Sequence, residues 1–159
     1  MKLHTTALSL ALLAVAPFAS AGTATDSFEV SITIENSCSI VASDLDFGTQ
    51  DTLAVEIDAQ SSVDVTCTGI SPLTVSLDNG TGTGATAAAR KLSNGGSTID
   101  YVLAKDTART ELLGTGAGTI TAQSTGGTDS FPIYGRVLAG QNPKAIGQYL
   151  DTVTATVSF

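Results

Sequence analysis

The sequence predicts an all-β protein, an antiparallel sandwich or barrel, on three observations. Apolar and polar residues alternate in several short runs, Gly and Asn cluster between those runs, and helical periodicity is scarce throughout. Ser, Thr and Gly fill well over a third of the chain beyond residue 21, a composition that suits strands and turns. At 159 residues there is room for one modest domain.

Residues 1–21 are expected to be a leader. Lys2 supplies a short basic region, Ala7 to Phe18 is an apolar run too short for a bilayer span, and Ala19-Ser-Ala21 has the small-x-small pattern of a cleavage site. No later run is long and apolar enough to span a membrane. From Gly22 the chain is polar, and Phe28-Glu-Val30-Ser-Ile32-Thr-Ile34 then alternates as a half-buried strand does. Val63-Asp-Val65-Thr-Cys67 and Leu73-Thr-Val75-Ser-Leu77 follow the same pattern. Ile99 to Ala104 and Phe131 to Val137 are further strand candidates, and Tyr149 to Phe159 alternates to the last residue. Turn signals lie between them at Asp78-Asn-Gly80, Asn94-Gly-Gly96, Gly114 to Gly118 and Gly126-Gly127; only Asp106 to Leu113 suits a helical turn. An amphipathic strand at each extremity, one of them on a flexible leash, suggests pairing between molecules.

Charge and composition exclude several classes of function. Acidic residues number 15 against 7 basic ones, one of which, Lys2, leaves with the leader. Such a surface opposes a nucleic-acid partner, which needs a basic footprint. The single histidine, His4, also lies in the leader, so the rest of the chain has no imidazole for a nucleophile triad, a general base or a zinc site. No cofactor, metal or catalytic residue is expected. Cys38 and Cys67 are the only cysteines, and in an exported chain an even pair is most simply one structural disulfide; C-x-x-C redox spacing is absent.

Other motifs have plain readings. Asp44, Asp46 and Asp51 do not follow a calcium-loop pattern and read as solvated loop carboxylates. Paired glycosidase carboxylates would need a groove lined with aromatics, and aromatics are few. Gly80-Thr-Gly82-Thr-Gly84 lacks the Lys-Ser/Thr of a phosphate loop and reads as a hairpin loop; Asn79-Gly-Thr81 fits both a glycosylation sequon and a type I′ turn. Arg109 and Arg136 are open between an internal contact and a solvated base.

Taken in order, Cys38-Ser-Ile40, Leu45-Asp-Phe-Gly48, Val65-Thr-Cys67, Val75-Ser-Leu-Asp-Asn-Gly80, Tyr101 with Lys105-Asp-Thr-Ala-Arg-Thr110, Pro132-Ile-Tyr-Gly-Arg136 and Gly147-Gln-Tyr-Leu-Asp-Thr-Val153 through Phe159 resemble the spore coat U domain proteins. That family includes the pilin subunits of archaic, Csu-type chaperone-usher pili. The resemblance implies an incomplete immunoglobulin-like sandwich of six strands, completed by a donor strand from a neighbouring subunit. It divides the chain into a signal peptide (1–21), a donor-strand extension (22–36) and a pilin domain (37–159). Phe28, Val30, Ile32 and Ile34 would be the donated side chains. The receiving groove would lie between the first strand, Ser37 to Val41, and the last, with Val153, Ala155, Val157 and Phe159 at its edge; Cys38 and Cys67 would join the first two strands.

The implied function is structural and non-enzymatic: a shaft or adaptor subunit of a surface pilus serving adhesion or biofilm formation. The implied partners are neighbouring pilin subunits, a periplasmic chaperone and an outer-membrane usher. Export through the periplasm to the cell surface follows. Two other readings are a secreted spore or cell-surface coat protein and a secreted carbohydrate-binding sandwich module.

Overall fold

The computed structural model describes residues 21–159, so all but the last residue of the expected leader lies outside the described residues. Two units separate, one ending at Thr33 and one spanning Ile34–Phe159. In the first, residues 21–33 carry no helix or strand and their side chains are exposed. The expected strand from Phe28 to Ile34 is therefore extended-type sequence without a ladder: alternation sorts side chains onto two faces, but only a partner backbone makes a strand.

The second unit is all-β. Its strands are β1 (Cys38–Ala42), β2 (Ile57–Cys67), β3 (Pro72–Leu77), β4 (Arg90–Asn94), β5 (Ser97–Ala104), β6 (Ile120–Gln123), β7 (Thr128–Val137) and β8 (Ala155–Ser158). They form one sheet in the order β1-β2-β7-β5-β4 and another in the order β6-β3-β8, all neighbours antiparallel. Where six strands were expected, eight segments occur, because β4 and β6 are short and their residues do not alternate cleanly. The last strand is shorter than its alternation: residues 149–154 run irregularly before β8. Asp106 to Leu113 forms a turn rather than helix, with the Asp106 carboxylate accepting from the Thr110 and Glu111 amides at 3.0 and 2.7 Å. The one 3-10 segment among the described residues is Gly116–Gly118.

Period-2 alternation builds the core. Val63, Val65 and Cys67 of β2 point inward with Leu73, Val75 and Leu77 of β3, and Ile99, Tyr101, Leu103, Ile133 and Val137 join the same cluster. Val65, Val75 and Leu113 are fully enclosed. Pro132 sits inside β7, opposite Ser62 of β2, but β5 pairs with β7 only from Tyr134 onward. The missing proline donor thus falls where β7 has no neighbour on that side. Asn94-Gly95-Gly96-Ser97 closes the β4–β5 hairpin with Gly95 at φ 58°, the left-handed geometry a two-residue loop requires. The Gly80–Gly84 segment, expected as a hairpin loop, instead joins β3 to β4 and so carries the chain from one sheet to the other.

Both open arginines make internal contacts. Asp58 and Arg136 are cross-strand partners on β2 and β7; Arg136 Nε and Nη2 donate to the two Asp58 oxygens at 2.7 and 2.9 Å, and Nη1 lies 2.9 Å from Glu56. Arg109, at φ 60°, donates to Gly135 O at 3.0 Å, lies 3.2 Å from Asp58 and sits over the Tyr134 ring. The Arg136 hydrogen bond, against a small burial penalty, holds the Asp58 carboxyl below the usual carboxylate range. Its contribution to stability is present above the unfolded aspartate pKa of about 4 and is lost as pH falls through the lower folded value. Urea melts between pH 7 and 2 should therefore show a shallower acid loss for Asp58→Asn than for the wild type.

Cys38 and Cys67 face each other in the β1–β2 register and are joined by a disulfide across 29 positions of sequence. Closing a loop of that length contributes about 3 to 4 kcal/mol in the chain-entropy treatment. The paired Cys38→Ser, Cys67→Ser variant should lose stability on that order, read as a lowered denaturation midpoint with a raised m-value, since the unfolded chain is no longer cross-linked.

Candidate functional site

The two sheets present one free edge each on the same side of the sandwich. Among the described residues β1 bonds only to β2, and β8 only to β3, so no described strand covers the outer backbone edge of either. Cys38 and Ile40 of β1 and Ala155 and Val157 of β8 turn partly buried side chains toward the core beneath. Next to them a groove of about 1230 Å³ opens onto the core, its floor including Leu77, Tyr101, Leu103, Ile133 and Val137. One wall is the segment 42–53 that follows β1; the other is the segment 142–155 that leads into β8.

The first wall is seated by the Leu45-Asp-Phe-Gly48 motif. Asp46 accepts from the Gly48 amide at 2.8 Å and Gly48 takes φ 71°, a tight turn that sends Leu45 and Phe47 to the same side. Both pack on Gly135, where a Cβ would come within about 3 Å of each. Phe47 also meets the Tyr101 ring edge to face, 6.1 Å between centroids.

The second wall depends on Asp151. Its Oδ1 accepts from Thr81 N, Thr81 Oγ1 and Thr152 N at 2.8, 2.9 and 2.8 Å, and its Oδ2 from the Tyr101 hydroxyl at 2.8 Å. Burial, together with the Asp151 carboxylate beside it, pushes the Tyr101 phenol far above its ordinary pKa, so it acts purely as a donor here. Gly80, at φ 80°, allows the approach of Asp151, since a Cβ there would overlap the carboxylate. Beneath, the fully enclosed Arg90 spreads its guanidinium over the Asp78, Ala87 and Leu113 carbonyls. Leu150 pairs with Ser93 through both backbone bonds, and Tyr149 bonds Ser97 and the Ala145 carbonyl. At one end the walls are tied: Gly140 N donates to Leu53 O at 2.7 Å and Leu53 N to Asn142 Oδ1 at 3.2 Å.

The expected site residues fall as follows. Val153, Ala155 and Val157 are partly buried against the core, with Val153 just before β8, while Phe159 lies beyond the strand and is 56% exposed. Phe28, Val30, Ile32 and Ile34 are 87, 82, 87 and 86% exposed. Asn36 marks where packing begins: it accepts from Gly69 N at 2.9 Å and donates to Ser71 Oγ at 2.6 Å. Asp44, Asp46 and Asp51 are exposed on the first wall. Among the described residues no three His, Cys, Asp or Glu side chains are placed to hold a metal ion. Asp151 and Arg90 are the groove-shaping residues that sequence reasoning missed; the alternation of 149–159 and the isolated Asp78-Asn-Gly80 gave no sign that they meet.

The profile of the Spore Coat Protein U domain matches residues 24–156. The chain belongs to this family. Its fold is similar to one in the crystal structure of the CsuC–CsuE chaperone–tip adhesion subunit pre-assembly complex from archaic chaperone-usher Csu pili of Acinetobacter baumannii, with a TM-score of 0.61 and 22% identity over 80% of this chain. The match spans 41% of that chain, so this protein corresponds to about two fifths of its length. The P pilus rod subunit PapA aligns at TM-score 0.49 and 14% identity, over 76% of this chain and 97% of that one. No curated protein sequence matches. In this member of the spore coat U family, Asp151→Ala should leave the buried Tyr101 hydroxyl without its acceptor and free the second wall. A loss of about 1 to 3 kcal/mol in stability and faster hydrogen exchange at residues 149–154 are expected.

Proposed function

We propose that the protein is a structural, non-enzymatic subunit of a surface fibre, assembled when the 22–36 extension of one copy or a sister subunit inserts its Phe28 to Ile34 stretch to complete the sandwich of the next. The observation that carries this reading is the pair of edges, β1 and β8, that no described strand covers, beside a groove that reaches the apolar core. Unpaired strand edges over an apolar face invite a further strand, whose backbone supplies hydrogen bonds and whose alternate side chains fill pockets. Phe28, Val30, Ile32 and Ile34 have the alternation that such a strand needs and are exposed. Burying four large apolar side chains is worth roughly 6 to 12 kcal/mol gross, before ordering costs. Donor and acceptor are different surfaces, so the contact is head to tail and generates an open filament.

Until exchange, the groove needs a temporary cover. A periplasmic chaperone fills that role in this proposal, with an outer-membrane usher delivering subunits to the surface after the 1–21 leader is removed. The fibre then serves attachment or biofilm formation. The likeness in fold to a subunit captured in a chaperone complex supports the reading. A coat protein without a fibre keeps the same family and is separated by the same experiment.

Deleting residues 22–34 should abolish polymerisation while leaving the groove competent for a chaperone, and Ile32→Asp, which puts a charge among the donated side chains, should slow or prevent it. Size-exclusion chromatography and electron microscopy of the mature chain give the readout. Polymers formed by the truncated protein would sink the proposal.

A further inference from the structure

An apolar alternation specifies register incompletely. A slip of one residue turns Phe28, Val30, Ile32 and Ile34 away from the groove, and is strongly opposed. A slip of two leaves three of the four in place and costs little more than one terminal side chain. Another interaction must separate registers that differ by two.

Charge is distributed so as to do this. Residues 22–89 contain ten carboxylates and no Lys, Arg or His. The extension has Asp26, Glu29 and Glu35, and the last two alternate with the apolar positions, so they point out of a groove that receives those positions. Among the described bases, Lys91, Lys105, Arg109 and Arg136 have carboxylate partners, and Arg90 is enclosed among carbonyls. Lys144 is the one described base outside every ion pair and side-chain hydrogen bond, and it lines the groove, partly buried, two residues past the Asn142 tie at the closed end. The opposite wall offers Asp44, Asp46 and Asp51 and no base.

Resting on the strand-exchange reading, we propose that Lys144 is the register-setting counter-charge for the extension of a second copy, pairing with one of its outward carboxylates, Glu29 or Glu35. Six residues of extended strand put those two about 20 Å apart, so Lys144 reaches only one of them. A two-residue slip moves the chosen carboxylate by about 7 Å and breaks the pair. The acidic first wall repels the same carboxylates; on the second wall the Asp151 oxygens are engaged by Thr81, Thr152 and Tyr101, and Lys144 supplies the cation.

The test uses the mature full chain, with assembly followed by light scattering at low salt and a photo-crosslinker at Ser31 reporting register. Lys144→Glu should slow assembly on the order of fivefold and add a second cross-link displaced by two residues on the acceptor; Lys144→Gln, the milder change, should fall between. Combining Lys144→Glu with Glu29→Lys or with Glu35→Lys should restore the wild-type rate and the single cross-link in one of the two pairs. A wild-type rate and a single cross-link in Lys144→Glu, or failure of both reversals to restore them, overturns the proposal. If the chain lacking residues 22–34 assembles, or no cross-link between copies forms, it is the strand-exchange reading itself that fails.

Discussion

The outer backbone edges of β1 and β8 are the constraint on which the rest of the structure depends. Every N–H and C=O along a strand requires a partner or water, and a sandwich normally meets this by closing its core with strands on both sides. Here two edges face outward over side chains that already belong to the core, among them Ile40, Ala155 and Val157. The walls must therefore be held apart by something other than a strand between them. Asp151 and the Arg90 cage do so on one side, and the Leu45/Phe47 seat on Gly135 does so on the other. The polar network is fully satisfied: no buried side-chain nitrogen or oxygen among the described residues lacks a hydrogen-bond partner. That completeness is what lets a charged aspartate and an enclosed arginine flank an apolar opening without the cost of unpaired buried groups.

Much of the fold was legible because it follows period-2 alternation. The cores of β2, β3, β5 and β7 lie where the alternating runs lie, since one face of each is buried and the other is not. β4 was not legible: Arg90-Lys-Leu-Ser-Asn has one apolar residue, and its inward position is filled by an arginine. β6 is four residues long, too short to display a period. The alternation of residues 149–154 overstated the last strand, because Leu150 and Asp151 are taken by Ser93, Thr81 and Tyr101 before a ladder to β3 can start. These partners are about 50 or more residues away in sequence, and no local pattern announces them. The glycines at 80–84 looked like a hairpin because turn chemistry is local, whereas the choice of sheet is not.

Electrostatics show a similar division of labour. The half of the sequence that supplies the first wall and the extension is uniformly anionic, and nearly all cations of the other half are consumed in fixing its own loops and strands. Arg136 and Arg109 converge on Asp58 on the outer face of the larger sheet, away from the groove residues. The charge that stabilises the sandwich is thus separate from the charge available to anything entering it.

The Cys38–Cys67 bond has a mechanical consequence. Asn36 and Cys38 are the first anchored residues after the exposed N-terminal segment, and β1 is an edge strand that tension on that segment would otherwise peel away one bond at a time. The disulfide routes the load past β1 into the end of β2, which is paired along ten positions with β7 in the middle of the sheet. The load then meets the ten-position β2–β7 ladder and not the five-position β1–β2 one, so the covalent link sets the load path as well as the stability.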